Sequence, residues 1–146
     1  MRWKLLDAGP PATHAVILKK GDEAVGMLTR FIRERTIDAA SLSAIGAFEC
    51  AVVGYFDWET KEYRKIPVNE QVEVLSLIGD VAHGDDGPAL HVHAVLGRRD
   101  GSVVGGHLLE GHVRPPLEAV LIEPPAYLKK RKDPESGLAL IALEDS

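Results

Sequence analysis

Apolar and polar positions along the chain change period once. The run HAVIL, His14 to Leu18, is continuously apolar apart from its first residue and predicts a strand. Gly21 and Asp22 interrupt it. Val25, Leu28 and Ile32 then recur at helical spacing with Phe31 beside them, while Arg30, Arg33 and Arg35 fill the polar side and the last turn. This predicts an amphipathic helix over Asp22–Arg35, with Asp22 as its N-cap and Glu23 in the first turn, where the helix dipole favours an anion. From Ser41 onward the period is two. The segment SLSAIGAFECAVVGYFD is rich in Val, Ile and aromatics, and Gly46 and Gly54 within it suggest bends or close backbone approaches.

DWETKEY reads as a turn, and YRKIPV and QVEVLSLIGDVA as the next strands. Asp85-Asp86-Gly87-Pro88 reads as a loop. ALHVHAVLG, SVVGGHLLEGHV and LEAVLIE follow as strands, the last ended by Pro124 and Pro125. YLKKRKDPESG is expected as a polar connection before a short apolar segment, LALIAL. One helix among many strands predicts an α+β fold built on a largely antiparallel sheet. The 146 residues suit one domain, residues 1–146.

Composition narrows the function. Hydrophobic residues make up 45% and charged residues 27%, which is ordinary for a globular chain. No apolar run approaches a membrane span, and MRWKLLDAGPP has no apolar signal core, so a cytoplasmic location is expected. Cys50 is the only cysteine, which excludes an intrachain disulfide and a thiolate zinc cluster. The net charge of −5 disfavours a DNA-binding surface, because phosphate contacts need clustered cations.

Three of the six histidines lie in LHVHAVLGRRDGSVVGGH. His91 and His93 share a face of their strand, roughly 6–7 Å apart. The turn GRRDGS decides whether His107 joins them. A three-residue loop, Arg99-Asp100-Gly101, pairs Arg98 with Ser102 and sets His107 opposite His93. A two-residue Asp100-Gly101 loop sets His107 opposite Ala94, on the other face, and a bulge at Gly105-Gly106 would reset the parity again. In the first register three imidazoles converge within reach of one ion. Three histidines are a recurrent zinc arrangement with an open position, able to polarise a carbonyl or activate water. Glu49 is the candidate additional ligand. Glu110 and His112 fall at the wrong parity from His107.

The segments LSAIGAFECAVVGYFD, VEVLSLIGDVA, LHVHAVLGRRDGSVVGGHLLEGHV and LEAVLIE together resemble the PPC domain, the "plants and prokaryotes conserved" domain, over about His14 to Leu143. The resemblance implies a homotrimer and a histidine-bound metal, zinc, at His91, His93 and His107. It also implies a wider relation to the acetolactate decarboxylase-type fold, which is similar in using H-x-H plus a later histidine. Plant members carry AT-hooks, and bacterial ones are often described as DNA-binding. This chain has no Arg-Gly-Arg-Pro. Its basic run Lys129-Lys130-Arg131-Lys132 is followed by Asp133 and Glu135, and a solvated loop is expected there. Lys61 stands where such chains favour glycine, at a cost of roughly 1 kcal/mol if the position is left-handed.

Other chemistry finds little support. Dinucleotide, P-loop and nucleophile-elbow motifs are absent from the sequence. Cys50 sits in an apolar setting that favours packing over reactivity. His83 is expected to be exposed, and Trp3 and Trp58 to pack. Two functions follow from different classes. One is a PPC-type binding or regulatory protein with DNA, protein or a small molecule as partner. The other is a zinc-dependent lyase or hydrolase acting on a small carbonyl or carboxylate compound.

Overall fold

A computed structural model describes residues 1–7, 11–124 and 129–142. For Arg2, Trp3, Leu5, Leu6 and Asp7 the backbone alone is described, so the packing expected of Trp3 lies outside the described residues. The strands are β1 (Arg2–Asp7), β2 (Thr13–Leu18), β3 (Ala40–Asp57), β4 (Glu62–Val68), β5 (Val72–Gly84), β6 (Gly87–Gly97), β7 (Val103–Val113), β8 (Leu117–Ile122), β9 (Lys129–Lys132) and β10 (Ala139–Ala142), with one helix, α1 (Ala24–Arg35). The α+β expectation thus narrows to a β-rich fold: a mostly antiparallel sheet carrying one helix.

The helix begins one residue later than its expected cap. Glu23, not Asp22, is the N-cap, and its carboxylate accepts from Val25 N, Gly26 N and, on the adjoining strand, Gly111 N of β7. Asp22 is drawn away by the Met1 ammonium at 2.9 Å and by Lys19 N. Thr36, left-handed with φ 54°, closes the C-terminus.

Strand β3 is the spine. Its first half lies between β8 and β5, its second half between β7 and β4. The change of neighbours follows Gly46, where a Cβ would collide with the Pro116 carbonyl. Because β5 pairs with β6 and β6 with β7, the four strands β3, β7, β6 and β5 close a circuit. Alternate residues point inward. Val92, Ala94 and Leu96 of β6 and Leu108 of β7 join one apolar core with Leu28, Phe31 and Ile32 of α1. Each such large side chain contributes about 1.5–3 kcal/mol by leaving water. The helix therefore backs β6 and β7 from inside, and the opposite side chains of those strands face out.

Two short strands add to those expected. β1 lies along β2, and the basic run expected as a solvated loop is strand β9. Lys130 is buried there, its Nζ 2.8 Å from Asp80 Oδ1. That ion pair and the β10 partner strand give a polar tetrapeptide a place in the sheet. Lys61 is left-handed (φ 58°), and its Nζ sits 3.4 Å from the Trp58 ring centroid, a cation–π contact that offsets part of the backbone cost.

Candidate metal centre

The β6–β7 hairpin adopts the three-residue loop. Arg98 N donates to Ser102 O at 2.8 Å, Gly101 is left-handed (φ 84°), and Asp100 Oδ1 accepts from both Ser102 N and Ser102 Oγ. The ladder then runs without a break from Gly97–Val103 to His93–His107. The bulges fall on the other side of β7, against β3, so Gly105-Gly106 do not disturb the histidine register. Gly106 instead permits close approach, since a Cβ there would stand 2.6 Å from the Gly54 carbonyl oxygen.

His91, His93 and His107 are thereby gathered on the outer face, with one nitrogen from each inside a span of 4.8 Å. Nε2 of His91 and Nε2 of His93 are 3.1 Å apart. The His107 ring stacks on His91 (centroids 5.1 Å) and leans on Tyr63 (4.8 Å). Behind His91, Asp80 of β5 places Oδ2 3.4 Å from Nδ1, while its other oxygen holds Lys130. Asp80 thus orients the imidazole so that Nε2 faces the other two histidines, a carboxylate–histidine arrangement that fixes tautomer and ring angle in metal sites.

Electrostatics keep the cluster ready for a cation. Burial, together with His91, His93 and Lys130 nearby, pushes the His107 imidazole down to about 4. Burial, then His91, also lowers His93, although Asp80 opposes this. Burial alone would raise the Asp80 carboxyl, but His91 and Lys130 more than offset it and hold it below the usual carboxylate range. Nδ1 of His107 is buried with no hydrogen-bond partner among the described residues. Imidazole donors, two of them with lowered basicity, no thiolate and one buried unpartnered nitrogen, Nδ1 of His107, fit a borderline divalent ion such as zinc better than calcium or magnesium, which take oxygen ligands.

The other expected site residues lie elsewhere. Glu49 is not part of the cluster: it accepts from Arg114 Nη1 at 3.1 Å. Glu110 and His112 bind each other at 2.6 Å, and His83 is exposed and bound to Asp38. Asp80, Tyr63 and Lys130 were missed. Mirror counting about the Asp85-Asp86 turn would have found Asp80 opposite His91. For Lys130 the sequence carried no comparable signal, because β9 returns to the sheet from far along the chain.

A cleft of about 240 Å³ opens beside the cluster, lined by Tyr63, His91, His107, Lys130, Leu138 and Leu140 among others. Among the described residues no helix is long and apolar enough to cross a membrane.

The family model of the Plants and Prokaryotes Conserved domain matches residues 7–125. A metal-containing protein of Archaeoglobus fulgidus is 34% identical, with 97% of each chain covered and a TM-score of 0.83. A plant- and prokaryote-conserved protein of Pyrococcus horikoshii is 32% identical, with 99% of this chain and 97% of that chain covered and a TM-score of 0.84. A Bacteroides thetaiotaomicron protein with a provisional DNA-binding label is 26% identical over 96% of each chain, with a TM-score of 0.87. A Staphylococcus aureus protein similar to α-acetolactate decarboxylase shares the fold distantly (TM-score 0.50, 14% identity, 82% and 52% covered). No curated protein matches.

Proposed function

We propose that this chain, which belongs to the Plants and Prokaryotes Conserved domain family, is a metal-dependent binding protein. His91, His93 and His107 hold one divalent ion, zinc by the nature of the donors, on the outer face of each subunit of a homotrimer. The observation that carries this reading is the convergence of three ring nitrogens within 4.8 Å, with Asp80 orienting one ring from behind. The Archaeoglobus fulgidus relative, described as metal-containing, supports it. When bound, the ion supplies Lewis acidity. The chain's own residues position it, disfavour protonation of His93 and His107 and leave a cleft open on one side.

Assembly is supported by the outer face itself. Ile45, Leu75, Ile78, Val95, Val120 and Ile122 are exposed on adjoining strands, an apolar expanse unusual for a free surface. Closed symmetry buries such a patch in every copy, and the cleft is lined by other residues, among them Tyr63, Lys130 and Leu140. A DNA partner, suggested by the label on relatives, has less support in this chain. The net charge is −5, and Lys130 of the basic run is committed to Asp80.

A second reading, a zinc-dependent enzyme on a small carbonyl or carboxylate compound, is favoured by the ionisable Tyr63 and Lys130 beside the histidines. Elemental analysis of tag-free protein tests the central claim. One zinc per subunit in the wild type, lost in His91→Ala/His93→Ala, is expected. A wild type that takes up no metal after zinc supplementation refutes it.

A further inference from the structure

The cleft beside the histidines has two unlike halves. Leu138 and Leu140 of the β9–β10 hairpin form one wall, apolar and partly exposed. The other wall carries His91, His107, Tyr63 and Lys130. Its volume, about 240 Å³, lies below the range of drug-sized sites, so its occupant is small.

Charge decides the sign of that occupant. The carboxylate of Asp80 and the ammonium of Lys130 cancel each other at 2.8 Å. The three imidazoles contribute no negative charge to balance a divalent ion. The loaded centre therefore keeps its positive charge in a half-enclosed space, where charges are poorly screened. Lys130 is a buried cation with three N–H donors, ion-paired with Asp80 Oδ1 on one side. The phenol of Tyr63, on the same wall of the cleft, adds a further donor. A cation or a neutral apolar molecule would leave these donors without acceptors. A bare inorganic anion would leave the leucine wall wetted.

We infer that the cleft binds a small organic carboxylate with a short apolar tail: the carboxylate beside Lys130 and Tyr63, the tail against Leu138 and Leu140. This rests on the metal reading above and names the ligand class of that site. It assigns the β9–β10 hairpin to recognition and Lys130 to ligand binding.

The test uses full-length protein loaded with cobalt(II), whose visible absorption responds to changes around the ion. Metal content is measured first. With one cobalt per subunit, 2-oxobutyrate is expected to shift the spectrum saturably, and uncharged 2-butanone to leave it unchanged. Lys130→Met should weaken 2-oxobutyrate by roughly tenfold or more. Leu140→Trp, which fills the cleft without touching the histidines, should abolish the shift while cobalt content stays at one per subunit. The inference is overturned by a fully loaded wild type that shows no shift, by 2-butanone or chloride acting as strongly as 2-oxobutyrate, or by both variants binding like the wild type. Wild type that takes up no cobalt refutes the metal reading instead, and the prior content measurement separates the two failures.

Discussion

Asp80 and His91 face each other across the β5–β6 ladder, with Oδ2 3.4 Å from Nδ1. This pairing turns a surface histidine into an oriented donor. Replacing Asp80 by Asn keeps the shape but removes the charge that holds the proton on Nδ1. Zinc affinity should fall by about 10–100-fold, measured by competition with a chromophoric chelator. Unchanged affinity would show that the ring is oriented by packing alone.

Acid should loosen both the fold and the ion. His107 is held at about 4 in the folded chain, against an ordinary value near 6.5. Between those values the unfolded chain binds the extra proton, so stability rises with pH through that window and is lost as pH falls. His93 is displaced in the same direction. Urea midpoints of metal-free protein should be lower at pH 5 than at pH 7.5, and the gap should widen with zinc present, since protons compete with the metal. His107→Gln should flatten the metal-free dependence.

Gly79 lies opposite Val92, where a Cβ would collide with the His91 carbonyl and stand 2.6 Å from Val92 Cγ1. Backbone cannot yield there as a flexible side chain would. Gly79→Ala should cost about 1–3 kcal/mol in urea unfolding and weaken zinc binding through displacement of β6. Gly87→Ala is the contrast: a Cβ there meets nothing within 4 Å, and any cost comes from its φ of 101° alone, with zinc binding unaffected.

The apolar outer face gives a prediction about mass. Ile45 is 59% exposed and Leu75 53% exposed, on neighbouring strands. If the proposed trimer buries this face, Leu75→Asp should give a monomer in sedimentation at micromolar concentration where the wild type gives a trimer, with the far-ultraviolet spectrum retained. A variant that still sediments as a trimer would place the contact elsewhere.

Duplex DNA should not bind measurably even at low salt, where phosphate contacts are strongest. Fluorescence anisotropy with a labelled random duplex checks this. A salt-sensitive rise in anisotropy would restore the DNA reading.

The centre was legible where it depended on local counting. His91 and His93 share a face by strand periodicity, and Asp100-Gly101 supplied the turn chemistry on which the position of His107 depends. The choice between two loop lengths was not legible, because Asp-Gly suits both. Cap choice failed for another reason: Asp22 is the better residue for the position, but the chain's own amino group claims it. Lys129 to Lys132 failed most instructively. Composition describes a run in water, whereas Lys130 answers to a carboxylate 50 positions earlier. Glu49 failed likewise, since its partner Arg114 comes from the distant connection between β7 and β8.

The closed circuit of β3, β7, β6 and β5 has a consequence for how metal arrives. Strand β6 is laddered on both edges by β5 and β7, and β7 by β6 and β3. Neither histidine-bearing strand can slide without breaking two ladders, and a one-residue slip would turn the donors inward. The ordering cost of bringing three rings together is therefore met when the chain folds. On the proposed function, metal uptake is then a local event at a rigid socket, expected to show little heat-capacity change and no gain in backbone protection from hydrogen exchange.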